Sequence, residues 1–437
     1  MTAATLRAAA GQPAAASEER SRWGVVAACT GVMVAEGYDL LIYSNAIPSL
    51  LMDQPMGLDK SSAGVVGSMA FAGMLLGGVI AGRVVAALGL ARVVLAGFLA
   101  FTLATAAVAL SASAWQLGAL RLAAGLALGL VLPAALSLAR AHVRQSHGAL
   151  AISIVMSGVP LGGMLAALVS REIVPAGGWR PLFLSGGVLG LAVMAVVAPR
   201  VVRAARSLAP HRDGAADGSA GAWRALFTRA SRPVLVIGTL ATLADLLTWY
   251  GVSTWLTQLM REFEIPFQGA MQLMFTLNIG AIAGSLLTAS LAIRLGTRPV
   301  AIAAGVAAGA CLLAIASRAL PGWGLFSAVA LLGMSAISAQ NLVNALVADA
   351  FPPQHRAAAI GMTLGIGRLG AVIAPMLGGQ ILAAGQGPSW VLAAFAIAAL
   401  AGAALLLGYS PARVRACLRS LSQPPATHPR TSTKALP

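Results

Sequence analysis

Five charged residues sit where an apolar chain should carry none. Glu36, Asp39, Arg121, Asp245 and Arg368 each fall inside a stretch of some twenty mainly apolar residues. An ionised side chain at that depth in hydrocarbon costs roughly 3 kcal/mol or more, so such groups face a cavity, a partner or a transported ion. Glu36 lies some thirteen residues into the stretch that opens at Trp23. At about 1.5 Å per residue that is about 20 Å along a helix, near the midplane of a bilayer. Asp39 follows about one turn on, and Asp245 and Arg368 reach comparable depths in their own stretches. Two chemistries follow. A carboxyl group that alternates between a dry setting and a neighbouring guanidinium can load and release a proton, because burial favours its neutral form and the cation its charged form. A guanidinium presents a planar fork that matches a carboxylate in bidentate fashion, which makes Arg368 a candidate anion ligand. Equally, three acids and two bases can neutralise one another as ion pairs that lock helices, and Arg121 is open to that structural or gating role.

The surroundings of these charges narrow the options. All five histidines (142, 147, 211, 355 and 428) fall outside the apolar stretches, so a proton path through them has Glu36, Asp39 and Asp245 as its titratable members. Tyr38, Trp249 and Tyr250 accompany the acids, and Gln340, Asn341 and Asn344 form an amide cluster in another apolar stretch. A cavity holding Arg368, aromatic faces and amides suits a planar aromatic carboxylate. Tyr43 and Trp255 read more readily as interface anchors.

The elements that position these residues follow from composition. Of 437 residues, 58% are hydrophobic and only 10% charged, against about 25% charged in soluble domains. Windows of about 20 apolar residues give twelve spans, near 23–43, 61–82, 90–111, 115–139, 148–170, 181–199, 233–257, 268–293, 299–317, 323–347, 357–384 and 388–409. The expected fold class is an all-α membrane protein of twelve transmembrane helices in two pseudo-symmetric six-helix bundles. The net charge of +16 suggests nucleic acid until its distribution is read. Of 29 Lys and Arg residues, 22 fall on the side that carries both termini and five on the other. That is the positive-inside pattern, with both termini cytoplasmic, and no nucleic-acid partner is expected. The basic loops can also touch anionic lipid. Glu18 and Glu19 and the lack of an early apolar core argue against a cleaved signal peptide. Cys29, Cys311 and Cys417 have no metal or redox spacing, so no metal and no cofactor is expected. The spans hold no nucleophile–base constellation, which argues against an enzyme.

The chain divides into a disordered tail (1–22), a first bundle (23–199), a basic linker (200–232), a second bundle (233–409) and a basic tail (410–437). The bundles repeat. A shift of 207 carries Gly73, Gly77 and Gly89 onto Gly280, Gly284 and Gly296, and a shift of 208 carries His147, Ala149, Ile152 and Gly162 onto His355, Ala357, Ile360 and Gly370. A parallel repeat of six spans suits a rocking-bundle transporter with its site at the midplane between halves. Small residues four apart let helices approach closely in lipid.

These residues resemble the major facilitator superfamily and, within it, the aromatic acid:proton symporter family, over nearly all of 23–405. Glu36-Gly37-Tyr38-Asp39 is similar to that family's D-G-x-D signature, with Glu in place of the first Asp. Arg121, Gly125 and Gly129 resemble the R-x-x-x-G-x-G-x-G motif of span 4, and Gly365-Ile366-Gly367-Arg368 resembles the G-I-G-R segment of span 11. The loop motif G-x-x-x-D-R-x-G-R-R is matched through Gly89 and Arg92, and in the second half through Arg294 and Arg298. Its acid, a latch on the cytoplasmic gate in the family, is replaced by Ala86, and Ile293 stands before Arg294. The resemblance implies proton-coupled uptake of an aromatic acid through an inner membrane. Arg368 would hold the carboxylate, Glu36 and Asp39 would couple the proton, and Arg121 would pair with Asp39. The rivals are a proton-driven exporter, an importer of another small organic acid, and a transport-inactive sensor, the last made conceivable by the missing latch acids.

Overall fold

A computed structural model describes residues 12–144, 147–207 and 227–422, and these residues form helices and turns without a strand. Among the described residues, twelve helices are long and apolar enough to cross a membrane. We number them α1 (Gln12–Met52), α2 (Lys60–Leu88), α3 (Leu90–Val108), α4 (Ala114–Ala141), α5 (Gly148–Met156 and Gly158–Gly177), α6 (Trp179–Ser207), α7 (Arg232–Glu262), α8 (Phe267–Leu295), α9 (Thr297–Ala316), α10 (Gly322–Ala350), α11 (Pro353–Gly367 and Leu369–Ala383) and α12 (Pro388–Leu407). A shorter helix, α13 (Pro411–Ser422), follows. Residues 1–11, 208–226 and 423–437, parts of the expected tails and linker, lie outside the described residues. Two stretches read as tail are helical instead. Residues 12–22 extend α1, in keeping with the helix propensity of their alanines, and 411–422 form α13. The first span also runs to Met52 rather than Tyr43. Ser44, Asn45 and Pro48 look like a stop, yet Ser44 and Asn45 are buried between helices.

The sequence repeat reappears as repeated packing. Gly73 and Gly77 of α2 lie against the α4 backbone at Leu122 and Leu126, and Gly280 and Gly284 of α8 lie against α10 at Ala330 and Met334. Gly162 of α5 meets α1 at Val34, as Gly370 of α11 meets α7 at Leu243. A Cβ at any of these glycines would collide with main-chain atoms. In lipid, where apolar surface gains little from burial, such backbone approach is what holds helices together. The hinge glycines match too: Gly89 has φ 81° and Gly296 φ 92°, a backbone region that favours glycine.

The halves meet along the end of the bundle opposite the termini, the distal face. There Lys60 Nζ of α2 pairs with Glu262 Oε1 of α7 at 2.7 Å, and Gln258 Nε2 donates to the same oxygen at 3.0 Å. One turn deeper, Gly64 and Gly379 bring α2 and α11 together. Deeper again, Thr257 Oγ1 donates to Asn45 Oδ1 at 3.0 Å and Ser44 Oγ to the Thr254 carbonyl at 2.8 Å, both joining α1 to α7. The α2 N-terminus at this face is fixed by Asp59, which accepts from the Ser62 amide at 2.7 Å; the Ser62 hydrogen bonds hold its carboxyl below the usual range. Toward the termini, a Cβ at Gly82, Gly361 or Gly365 would meet open space. The ion pair and hydrogen bonds that join the halves lie toward the distal face.

The seal makes a direct expectation. Glu262→Gln removes the ion pair and raises the rate at which a soluble thiol reagent labels Ser44→Cys, severalfold over the Ser44→Cys parent. An unchanged rate would show that the pair does not hold the distal face shut.

Candidate functional site

The charged residues of the first half divide into a satisfied pair and an unsatisfied acid. Arg121 of α4 places Nη1 2.8 Å from Asp39 Oδ2 of α1, and Thr105 of α3 donates to Asp39 Oδ1 at 2.8 Å. The guanidinium carbon stands 4.8 Å from the centre of the Tyr43 ring. Both charges are almost fully enclosed, at 1% and 3% side-chain exposure. The expected pairing of Arg121 with Asp39 is therefore present, and Thr105, a polar residue in an apolar span, is a partner that sequence reasoning missed.

Glu36, one turn away on α1, is equally buried, but its Oε2 has no hydrogen-bond partner among the described residues. The nearby charges that act on it are Arg368 and Asp39. Arg368 lies at the junction of the two pieces of α11, in a glycine-rich run (Gly365, Gly367, Gly370) that accounts for the break. It is half-buried, and its guanidinium makes no hydrogen bond or ion pair within 4.0 Å to the described residues. Its Nη1 lies 3.7 Å from the Cβ position of Gly78 on α2. Tyr250 of α7 feels both Arg368 and Glu36 electrostatically, and its ring centre is 4.5 Å from that of Phe71 on α2. Counting about 1.5 Å per residue from the distal helix ends, Phe71 and Tyr250 lie about 17 Å deep, and Arg368 and Glu36 about 23 Å. Four helices from both halves thus deliver an acid, a base and two aromatic rings to mid-depth, just inside the seal.

Other expected site residues are turned elsewhere. Tyr38 is two residues from Glu36, about 200° round the helix. Its hydroxyl shares a 2.6 Å hydrogen bond with Ser185 of α6 and its ring lies against Gly186, so it does not join the central group. Asp245 faces α12, with Oδ1 3.2 Å from the Cβ position of Gly402 and a buried Oδ2 without a partner among the described residues. Trp249, one turn on, shares that face and is 6% exposed within the apolar core. On α10, Gln340 Nε2 donates to Asn344 Oδ1 at 3.1 Å, and Asn341 Nδ2 donates to Ser285 of α8 at 3.3 Å. Asn341 is exposed, one to two turns nearer the termini than Arg368. Trp255 joins α7 to α11 by donating to the Pro375 carbonyl at 2.9 Å.

The loop residues also separate. Arg92 and Arg294 are exposed and make no ion pair with the described residues, next to exposed Ala86 and Ile293. Arg298 instead donates to the carbonyls of Leu406 and Leu407 at 2.9 and 2.7 Å, closing the end of α12.

Breaking one side of an enclosed ion pair leaves a bare charge, at about 3–5 kcal/mol. Asp39→Asn is therefore expected to lower the melting temperature of the purified protein sharply, with Asp39→Asn/Arg121→Met less damaged than Asp39→Asn alone. Additive losses in the double variant would show that the two side chains do not act as a pair.

Comparison with known proteins bears on this arrangement. The family model for the Major Facilitator Superfamily matches residues 29–271 and 238–435. The chain is 33% identical to the gentisate transporter of Corynebacterium glutamicum, over 86% of this chain and 84% of that one. It is 27% identical to the gallate transporter of Pseudomonas putida, over 90% and 93%. In fold it is similar to a D-xylose-proton symporter, with a TM-score of 0.73 at 14% identity, over 90% of this chain and 99% of that one. The twelve helices, their two-fold repeat and these similarities lead to one assignment: the chain belongs to the major facilitator superfamily and is a membrane transporter, not an enzyme.

Proposed function

We propose that the chain imports an aromatic carboxylate across an inner membrane together with protons, by alternating access, with both termini in the cytoplasm. The observation that carries this reading is the pair of groups at mid-depth that do not satisfy each other: a free Arg368 guanidinium and a buried, unpartnered Glu36 oxygen. An anion held by Arg368 supplies the charge that this cation lacks. A proton on Glu36 removes the cost of an uncompensated acid beside the incoming anion. Loading both together keeps the net charge of the site nearly constant, which is the physical basis of coupling. The relatives that carry gentisate and gallate support an aromatic ring on the cargo. Tyr250 and Phe71 offer that ring an apolar wall, whereas the α10 amides Gln340, Asn341 and Asn344, bonded to each other and to α8, have no step in this scheme. Asp39, held by Arg121 and Thr105, keeps α1 in register with α3 and α4. Asp245, turned to α12, has no step in this scheme.

The test uses the full chain in liposomes and labelled gentisate or benzoate. Uptake is expected to rise with an inward-directed proton gradient. Arg368→Ala is expected to lose tenfold or more in binding, in line with about 1.5–3 kcal/mol for a hydrogen bond to a charged group, while Glu36→Gln keeps binding and loses the response to the gradient. Flux that ignores the gradient in the unaltered protein would remove the proton from the mechanism. Binding without flux would make the chain a sensor.

A further inference from the structure

One face of α2 runs along the other half of the molecule, and its residues change in a meaningful order. Gly64 lies on the backbone of Pro375 and Gly379, and Gly67 lies on Pro375 and Tyr43. Phe71 meets the Tyr250 ring at 4.5 Å, tilted by 55°. Gly78, seven residues beyond Phe71 and so on the same face, lies beneath Arg368 Nη1. The glycines on the distal side allow α2 and α11 to close, and Gly78 leaves room for the guanidinium. Between them the chain inserts a phenyl ring. Phe71 is 7% exposed and lies about one helical turn to the distal side of Arg368.

We propose that Phe71 is a specificity-determining residue, the part of the site's ceiling that recognises an aromatic ring. This rests on the reading that the cargo is an aromatic acid. A carboxylate on Arg368 directs the rest of a small acid toward either the opening or the seal, and on the seal side the first surface met is the Phe71–Tyr250 pair. Aromatic rings favour tilted or offset packing, with about 0.5–1.5 kcal/mol beyond area burial. A flat unsaturated ring gains that term against Phe71, whereas a puckered saturated ring of the same size and charge does not. Because Phe71 and Tyr250 belong to opposite halves, the ceiling is whole only while the distal face is closed. Ring recognition is thereby tied to the sealed state.

The experiment compares binding of benzoate and cyclohexanecarboxylate to the purified full-length protein by calorimetry. The unaltered protein is expected to prefer benzoate. Phe71→Leu, which keeps bulk but loses the ring, is expected to cut that preference about two- to tenfold, with binding of cyclohexanecarboxylate little changed. Phe71→Tyr, which keeps the ring, is expected to retain the preference. Phe71→Met serves as a second ring-free variant, and melting curves report folding for each. An undiminished preference in a folded Phe71→Leu or Phe71→Met protein would overturn the role of Phe71 alone. Failure of the unaltered protein to bind benzoate at all would overturn the aromatic-acid reading and this inference with it.

Discussion

A charge in hydrocarbon has to be answered by another charge or by hydrogen bonds, and the rest of this molecule is arranged around where that answer is given and where it is withheld. Asp39 is answered twice, by Arg121 and by Thr105, and the Arg121 guanidinium is itself answered by the ring of Tyr43 beneath it. These contacts tie α1 to α3 and α4 and make the first half one body. Glu36, a single turn away, is given no hydrogen-bond partner for Oε2, and Arg368 across the gap is left free on the other half. The same kinds of residue thus serve as mortar at one depth and as open valences at another. What separates them is whether the partner lies within the same bundle.

Backbone proximity does the complementary work. The helices of each half are held by glycines that admit main-chain atoms where a Cβ would collide, as at Gly73 and Gly280 or Gly162 and Gly370. Contacts at these glycines are therefore close and depend on the lack of a side chain there. Contacts between halves include one ion pair, two hydrogen bonds and one ring pair, together with close approaches at Gly64 and Gly379, Gly67 and Pro375, and Gly163 and Asn278.

Much of this was legible before any coordinates. Span number, the two-fold repeat and the rarity of intramembrane charge follow from apolar run length and from glycine spacing, because membrane solvation leaves few alternatives. The constant offset between the halves even anticipated which glycines share a packing role. Direction was less legible. α1 is packed on nearly all sides, so no single apolar stripe in its sequence reveals that Tyr38 faces α6 while Glu36 does not. Asp245 misled for the same reason: depth is read from position along a span, but azimuth needs the neighbouring helix, here α12. Phe71 carried no signal at all, since a phenylalanine in an apolar span is ordinary until Tyr250 is found beside it. The end of α1 was missed because Ser44 and Asn45 are polar residues that the second half satisfies.

The Lys60–Glu262 bridge has one more property. Lysine is 37% and glutamate 17% exposed there, whereas the charges of the Asp39–Arg121 pair are closed off from solvent. Mobile ions shorten the reach of exposed charges to about 8 Å at physiological strength and leave enclosed ones nearly untouched. The solution at the distal face therefore has a grip on one of these two bonds and not the other. Salt on that side weakens the clasp there while the internal frame is spared, so the balance between the two faces depends on the ionic strength that the distal one meets.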